Sequence, residues 1–174
     1  MTTWIKGICT VRKIDEIDFK ILSILYEDAD ITNKELAAKM GIAPSTCLER
    51  VRRLNASGVI KSYNCNVNFQ AIGGHIEAMA ALKLARQTEE IVTQIRADLL
   101  SMPEVVNFYH MGGENNFFVH IAVRDTEHLR KFIFDAFMTR DEVINVETAL
   151  VFEHHRSGKL PDFYAFEDDN QLRD

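Results

Sequence analysis

In Ile14-Asp-Glu-Ile-Asp-Phe-Lys-Ile-Leu-Ser-Ile-Leu-Tyr26 the apolar positions 14, 17, 21, 24 and 25 repeat with the period of one helix face. Asp15 or Asp18 suits the start of that helix, where a carboxylate accepts from free backbone N–H groups and meets the positive end of the helix dipole. The polar break Glu27-Asp-Ala-Asp30 ends it. Thr32-Asn-Lys-Glu35 matches a capping box and predicts a helix from Asn33 to Met40, with Leu36, Ala37 and Met40 inward. Gly41 is placed to stop that helix in a left-handed conformation. A third helix is predicted from Pro44 to about Ser57, since proline fits a first helical position whose N–H is not needed. Leu48, Val51 and Leu54 would form its buried face, leaving Thr46, Glu49, Arg50, Arg52 and Arg53 mostly outside. Gly58 stops it, and the β-prone Val59-Ile-Lys-Ser-Tyr63 reads as a small wing.

Beyond the polar connector from Asn64 to Gly74 the period changes from 3.6 to 2. Strand character runs from His75 to Ala85, with Ile76, Ala78, Ala80, Leu82 and Leu84 on one face. Thr88 caps a helix bearing Ile91, Val92, Ile95 and Leu99, which Ser101-Met-Pro103 ends. Val105 to Met111 and Phe117 to Arg124 form a hairpin around Gly112-Gly-Glu-Asn-Asn116. Asp125-Thr126 opens a helix with Leu129, Phe132, Ile133, Ala136 and Phe137, and Val143 to Glu153 is a fourth strand. The order β-α-β-β-α-β is that of a ferredoxin-like split unit, with both helices on one face of a four-stranded sheet. The other face would carry Glu77, Met79, Ala81, Val119, Ile121, Val123, Ala149 and Val151, or their register neighbours. That face is too apolar for water and predicts a partner sheet.

Charge separates the two halves. Six bases face two acids from Asn33 to Asn64, a local excess of +4, which leaves −10 for the remainder of a chain whose formal net charge is −6. A basic helical module joined to an acidic body suits a nucleic-acid reader attached to something that does not touch nucleic acid. Two helices joined by a short Gly-containing turn make a helix-turn-helix, which sets one helix against phosphates and the next in the major groove. Arginine is both the commonest reader of guanine edges and a strong phosphate ligand.

These segments resemble the leucine-responsive regulatory protein (Lrp/AsnC, feast/famine) family of transcription regulators. The likeness lies in Cys47-Leu-Glu-Arg-Val-Arg-Arg-Leu54 with Gly58-Val-Ile60, in Ile14-Asp-Glu-Ile-Asp-Phe-Lys-Ile-Leu22, and in the β-α-β-β-α-β order, and runs from about Ile14 to Glu153. It implies an α+β fold, an N-terminal winged helix-turn-helix followed by a ferredoxin-like effector and oligomerisation domain. It implies double-stranded DNA as partner, a homodimer paired sheet to sheet, further assembly to a tetramer of dimers, and a small amino-acid effector. Carried onto this chain, Ser45, Thr46, Arg50, Arg52 and Arg53 would lie on the DNA side, with Lys34 and Lys61 as phosphate contacts. The hairpin turn Met111, Gly112, Gly113, Glu114 and Asn116 would help hold the effector. Two positions depart from the family pattern. Ala43 stands where the family usually has a capping Ser, and Asn116 where it has Asp, which keeps the shape and an acceptor but loses the charge. The charge-assisted part of a bond to an α-ammonium is then missing.

The domain boundaries expected are an N-terminal extension 1–13, the DNA-binding domain 14–63, a linker 64–74, the effector domain 75–155 and a C-terminal extension 156–174 with an acidic end. Cys9, Cys47 and Cys65 are odd in number and form no C-x-x-C pair, which argues against a disulfide framework and for a reducing cytoplasm. Cys47 reads as a packed thiol; a pKa lowered by nearby arginines would instead make it a redox switch. His154-His155, His110 and His120 lack zinc-site spacing, and neither a phosphate-cradling Gly loop nor a Gly-x-Ser-x-Gly elbow is present. Neither a metal nor a cofactor is expected, nor enzymatic activity, nor a membrane span. Two other readings fit the same residues: a low-specificity architectural DNA-binding protein, and a small-molecule-binding ferredoxin-like module that docks a protein.

Overall fold

The computed structural model describes residues 14–163. The extension 1–13, with Cys9, and the acidic end from Glu167 lie outside the described residues. The described residues form two compact units, one built from 14–66 together with 156–163, the other from Val67 to His155.

The first unit holds three helices: α1 (Glu16–Glu27), α2 (Asn33–Met40) and α3 (Pro44–Ala56). Asp15 caps α1, its carboxylate accepting from the Asp18 N–H at 2.8 Å. The capping box on α2 is complete. Thr32 Oγ1 accepts from the Glu35 N–H, and the Glu35 carboxylate accepts from the Thr32 N–H at 3.0 Å. Gly41 closes α2 at φ 65°, a conformation that a side chain disfavours. Ala43 caps α3 with no side-chain hydrogen bond, so the cap that a serine would supply is absent. Ile21, Leu36, Ala37, Cys47 and Leu54 form the buried core, with Ile17, Leu25, Val51 and Ile60 around them. Burial of each large aliphatic side chain there contributes about 1.5–3 kcal/mol.

Two expectations are corrected here. The buried line of α3 runs through Cys47, Val51 and Leu54, while Leu48 is exposed. Val59 to Tyr63 forms no strand, because it meets no ladder partner among the described residues. It is held instead by the Ile60 N–H donating to Leu54 O and by Asn55 Nδ2 donating to Tyr63 Oη, both at 3.2 Å. The last described segment returns to this unit. The Arg156 guanidinium lies 4.4 Å over the Tyr26 ring, and Leu160 lines a groove with Leu22, Leu25 and Val59.

The second unit is a four-stranded antiparallel sheet of order β2-β3-β1-β4, with β1 Ile76–Leu84, β2 Val105–His110, β3 Phe117–Val123 and β4 Val143–Leu150. α4 (Glu89–Leu100), capped by Thr88, and α5 (Thr126–Ile133), capped by Asp125, pack on one face. α5 continues as one wider π turn over Phe134–Met138. Ala80, Leu82, Val92, Leu99, Phe117, Val119, Ile121 and Phe137 are buried together between them. The register Met79↔His120 and Ala81↔Phe118 turns β3 over relative to the expectation. Val119, Ile121 and Val123 point into the core, and Phe118, His120 and Ala122 join Glu77, Met79, Ala81 and Ala149 on the open face. β4 ends at Leu150, short of the expected Glu153.

Candidate nucleic-acid interface and effector loop

α3 carries its arginines in two different settings. Arg50 Nη1 donates to Asp15 Oδ1 and Oδ2 at 2.9 and 2.7 Å and to Asp18 Oδ1 at 2.8 Å. Arg53 Nη2 donates to both Asp18 oxygens at 3.0 Å. Asp18 is only 3% exposed, so water competes weakly for its carboxylate, whereas Asp15 stands half in solvent. The Arg50 hydrogen bond, and after it the Asp18 N–H, hold the Asp15 carboxyl below the usual carboxylate range. The expectation that Arg50 and Arg53 stand outside is thus corrected. Both are half-buried and turned onto α1, because two carboxylates three residues apart there face two guanidiniums three residues apart on α3. That matched spacing was present in the sequence, but which helix faces which is a tertiary fact.

Arg52, Ser45 and Thr46 are exposed on α3, as are Lys34 on α2 and Lys61 after α3. The structure therefore brings Ser45, Thr46 and Arg52 to the solvent side of one helix and leaves Lys34 and Lys61 as flanking cations. Cys47 is fully buried, and burial pushes its thiol pKa up rather than down. The arginines that would have activated it are committed to carboxylates, so Cys47 is the packed thiol expected and not the redox switch of the alternative reading.

The hairpin turn of the second unit divides similarly. Met111, Gly112, Gly113 and Glu114 are exposed, with Gly113 at φ 137°. Asn116 is 4% exposed. Its Oδ1 accepts from the Leu84 N–H at 2.6 Å, beyond the last β1–β3 pair, Leu82↔Phe117. The side chain supplies the acceptor that β3 no longer offers, a task an uncharged amide performs as well as a carboxylate. Asn116 is accordingly an anchor of the turn, and its oxygen is already engaged. Glu114 is paired with Lys83 at 2.9 Å, which holds its carboxyl below the usual range.

On the open sheet face His120 is 5% exposed and its Nε2 lies 2.8 Å from Glu77 Oε2. Asn107 Nδ2 is 3.5 Å from its Nδ1, and the His154 ring centroid is 5.9 Å away. Sequence periodicity missed this pair, since β3 is a nearly continuous apolar run in which either face can be the buried one. Among the described residues no group of three or more His, Cys, Asp or Glu converges as a metal would need, and no helix is long and apolar enough to cross a membrane.

Residues 14–61 match the winged helix-turn-helix DNA-binding family model, and residues 77–160 match the Lrp/AsnC ligand binding domain. The chain is 39% identical over 145 residues to the HTH-type transcriptional regulator AldR of Mycolicibacterium smegmatis, covering 83% of this chain and 85% of that one. It is 33% identical to the transcriptional regulator AzlB of Bacillus subtilis, over 79% of this chain and 88% of its relative. The crystal structure of AldR from Mycobacterium tuberculosis superposes with a TM-score of 0.73 at 33% identity, over 85% of this chain and 97% of that chain. The feast or famine regulatory protein of M. tuberculosis complexed with L-methionine gives a TM-score of 0.73 at 25% identity, over 83% and 96% of the two chains.

Proposed function

The chain belongs to the Lrp/AsnC family of DNA-binding transcription regulators, and on that premise we propose that it reads operator DNA as a homodimer through the exposed side of α3. Ser45, Thr46 and Arg52 enter the major groove, and Lys34 and Lys61 neutralise phosphates beside it. Arg50 and Arg53 set the angle of α3 on α1 through the Asp15–Asp18 carboxylates. The observation that carries this reading is the sorting of charge on α3: two arginines are held by acids of the same unit, and Arg52 is left exposed. Two copies pair through the open sheet face, where the half-buried Met79, Phe118 and Ala122 would otherwise meet water. Such dimers associate further, four to an assembly.

An amino acid is the proposed effector, taken up at the exposed turn Met111 to Glu114. The complex of the related M. tuberculosis protein with L-methionine supports that choice of ligand class. The protein works by binding, without catalysis, in the cytoplasm where its DNA lies. The test is a salt series of binding to the DNA upstream of its own gene and to random DNA. Neutralised phosphates make log affinity fall linearly with log salt. Tight, salt-sensitive binding that prefers the upstream fragment is expected. Equal affinity for both sequences at every salt concentration would replace the specific regulator with an architectural role.

A further inference from the structure

A helix turns 100° per residue, so Ser45, Glu49, Arg52 and Ala56 fall on one line along α3. Cys47, Val51 and Leu54 lie on the opposite side, and Arg50 and Arg53 lean toward α1. Glu49 is therefore the central residue of the outermost stripe, between Ser45 and Arg52. It is exposed, and among the described residues neither an ion pair nor a hydrogen bond engages its carboxylate.

A carboxylate in that place opposes the work of its neighbours. Facing a polyanion, it is repelled by every phosphate it approaches, so it weakens binding to DNA of arbitrary sequence. It is an acceptor only. In the major groove the matching donors are the amino groups of cytosine and adenine, and carboxylate side chains accept from cytosine N4. Resting on the proposed role of α3, we infer that Glu49 is a specificity-determining residue that accepts from a cytosine amino group in each half-site. The same carboxylate rejects other sequences by leaving a buried, unpaired charge against a base acceptor or a phosphate. Arg52, one turn on, supplies the attraction that Glu49 withholds.

The experiment uses the full chain as the assembled protein, with selection of bound DNA from a random library followed by titration of the selected site. Wild type, Glu49→Gln, Glu49→Ala and Arg52→Ala are compared, with thermal unfolding as the check that each folds. The wild type is expected to select a cytosine at one position of each half-site and to lose roughly tenfold or more in affinity when that base pair is changed. Glu49→Ala should lose this discrimination and bind random DNA more tightly. Glu49→Gln, whose amide also donates, should accept additional bases at that position alone. If Glu49→Ala keeps the wild-type motif and mismatch penalty while Arg52→Ala binds weakly, the inference is overturned and the role of α3 stands. If Arg52→Ala and both Glu49 variants match the wild type on every sequence, the assignment of α3 falls and the inference with it.

Discussion

Asp18→Asn tests the ionic cluster that ties α3 to α1. The substitution keeps the shape and one carbonyl acceptor but removes the charge shared by Arg50 and Arg53. A hydrogen bond to a charged group contributes about 1.5–3 kcal/mol, and breaking a buried ion pair from one side costs about 3–5 kcal/mol. Two features reduce that figure here. The Arg50 and Arg53 side chains retain 20% and 32% of their exposure, so the stranded guanidiniums are partly hydrated, and Arg50 keeps Asp15. The expected loss is then about 2–3 kcal/mol. A chain of two units need not unfold in one step, so the assay is native-state hydrogen exchange at the α1 and α3 amides. At 1.4 kcal/mol per decade the slowest of them should exchange about 30- to 150-fold faster, with the sheet of the second unit unaffected. Asp15→Asn serves as the comparison. Asn caps a helix as well as Asp does, and the Asp15 side chain is 51% exposed, so its ion pair is worth at most about 1 kcal/mol. Released arginines should also strengthen binding to random DNA and steepen its salt dependence. Protection in Asp18→Asn within about fivefold of wild type would refute the argument that this cluster sets the helix pair.

Other outcomes follow from the same geometry. Asn116→Ala leaves the Leu84 N–H buried without its acceptor and should destabilise the second unit by about 1–3 kcal/mol in urea unfolding. A loss below about 0.5 kcal/mol would show that the N–H finds another partner. Asp15 has its pKa depressed in the folded state, so its contribution is present above the unfolded value of roughly 3.9 and is lost as pH falls below it. Urea midpoints of the first unit should therefore drop between pH 5 and pH 3 by less in Asp15→Asn than in wild type. Thiol labelling followed by peptide mapping should modify the exposed Cys65 within the dead time and Cys47 only at the rate of unfolding; prompt labelling of Cys47 in native protein would contradict its burial.

Local signals carried much of the fold. Thr32 with Glu35, Gly41 and the alternation from Ile76 to Leu84 each act within one turn or one strand, and each is found where the residues place it. What escaped was set by distant partners. The stretch from Val59 to Tyr63 has β character but needs a neighbouring strand, and propensity without a ladder leaves an irregular segment. In β3 a slip of one residue exchanges the two faces, and an apolar run gives periodicity nothing to choose by. The site was legible in part for the same reason. Exposure of Ser45, Thr46 and Arg52 follows from helical period alone. The retraction of Arg50 and Arg53 depends on acids more than thirty residues away, and the engagement of Asn116 on where β1 outruns β3.

The return of Arg156 to Tyr26 sets an order on synthesis. The helix-turn-helix leaves the ribosome first, yet its last side-chain cover arrives only after Val67 to His155 has been translated. At about 5–20 residues per second that interval is roughly 5–20 s. During it the nascent first unit has the Tyr26 ring and the apolar groove beside Leu22 and Leu25 uncovered. In the chain the residues of the sheet unit thus lie between two segments that pack together. A gene fragment stopped at Asn66 therefore encodes all three helices but omits Arg156 and Leu160, the side chains that complete the surface around Tyr26.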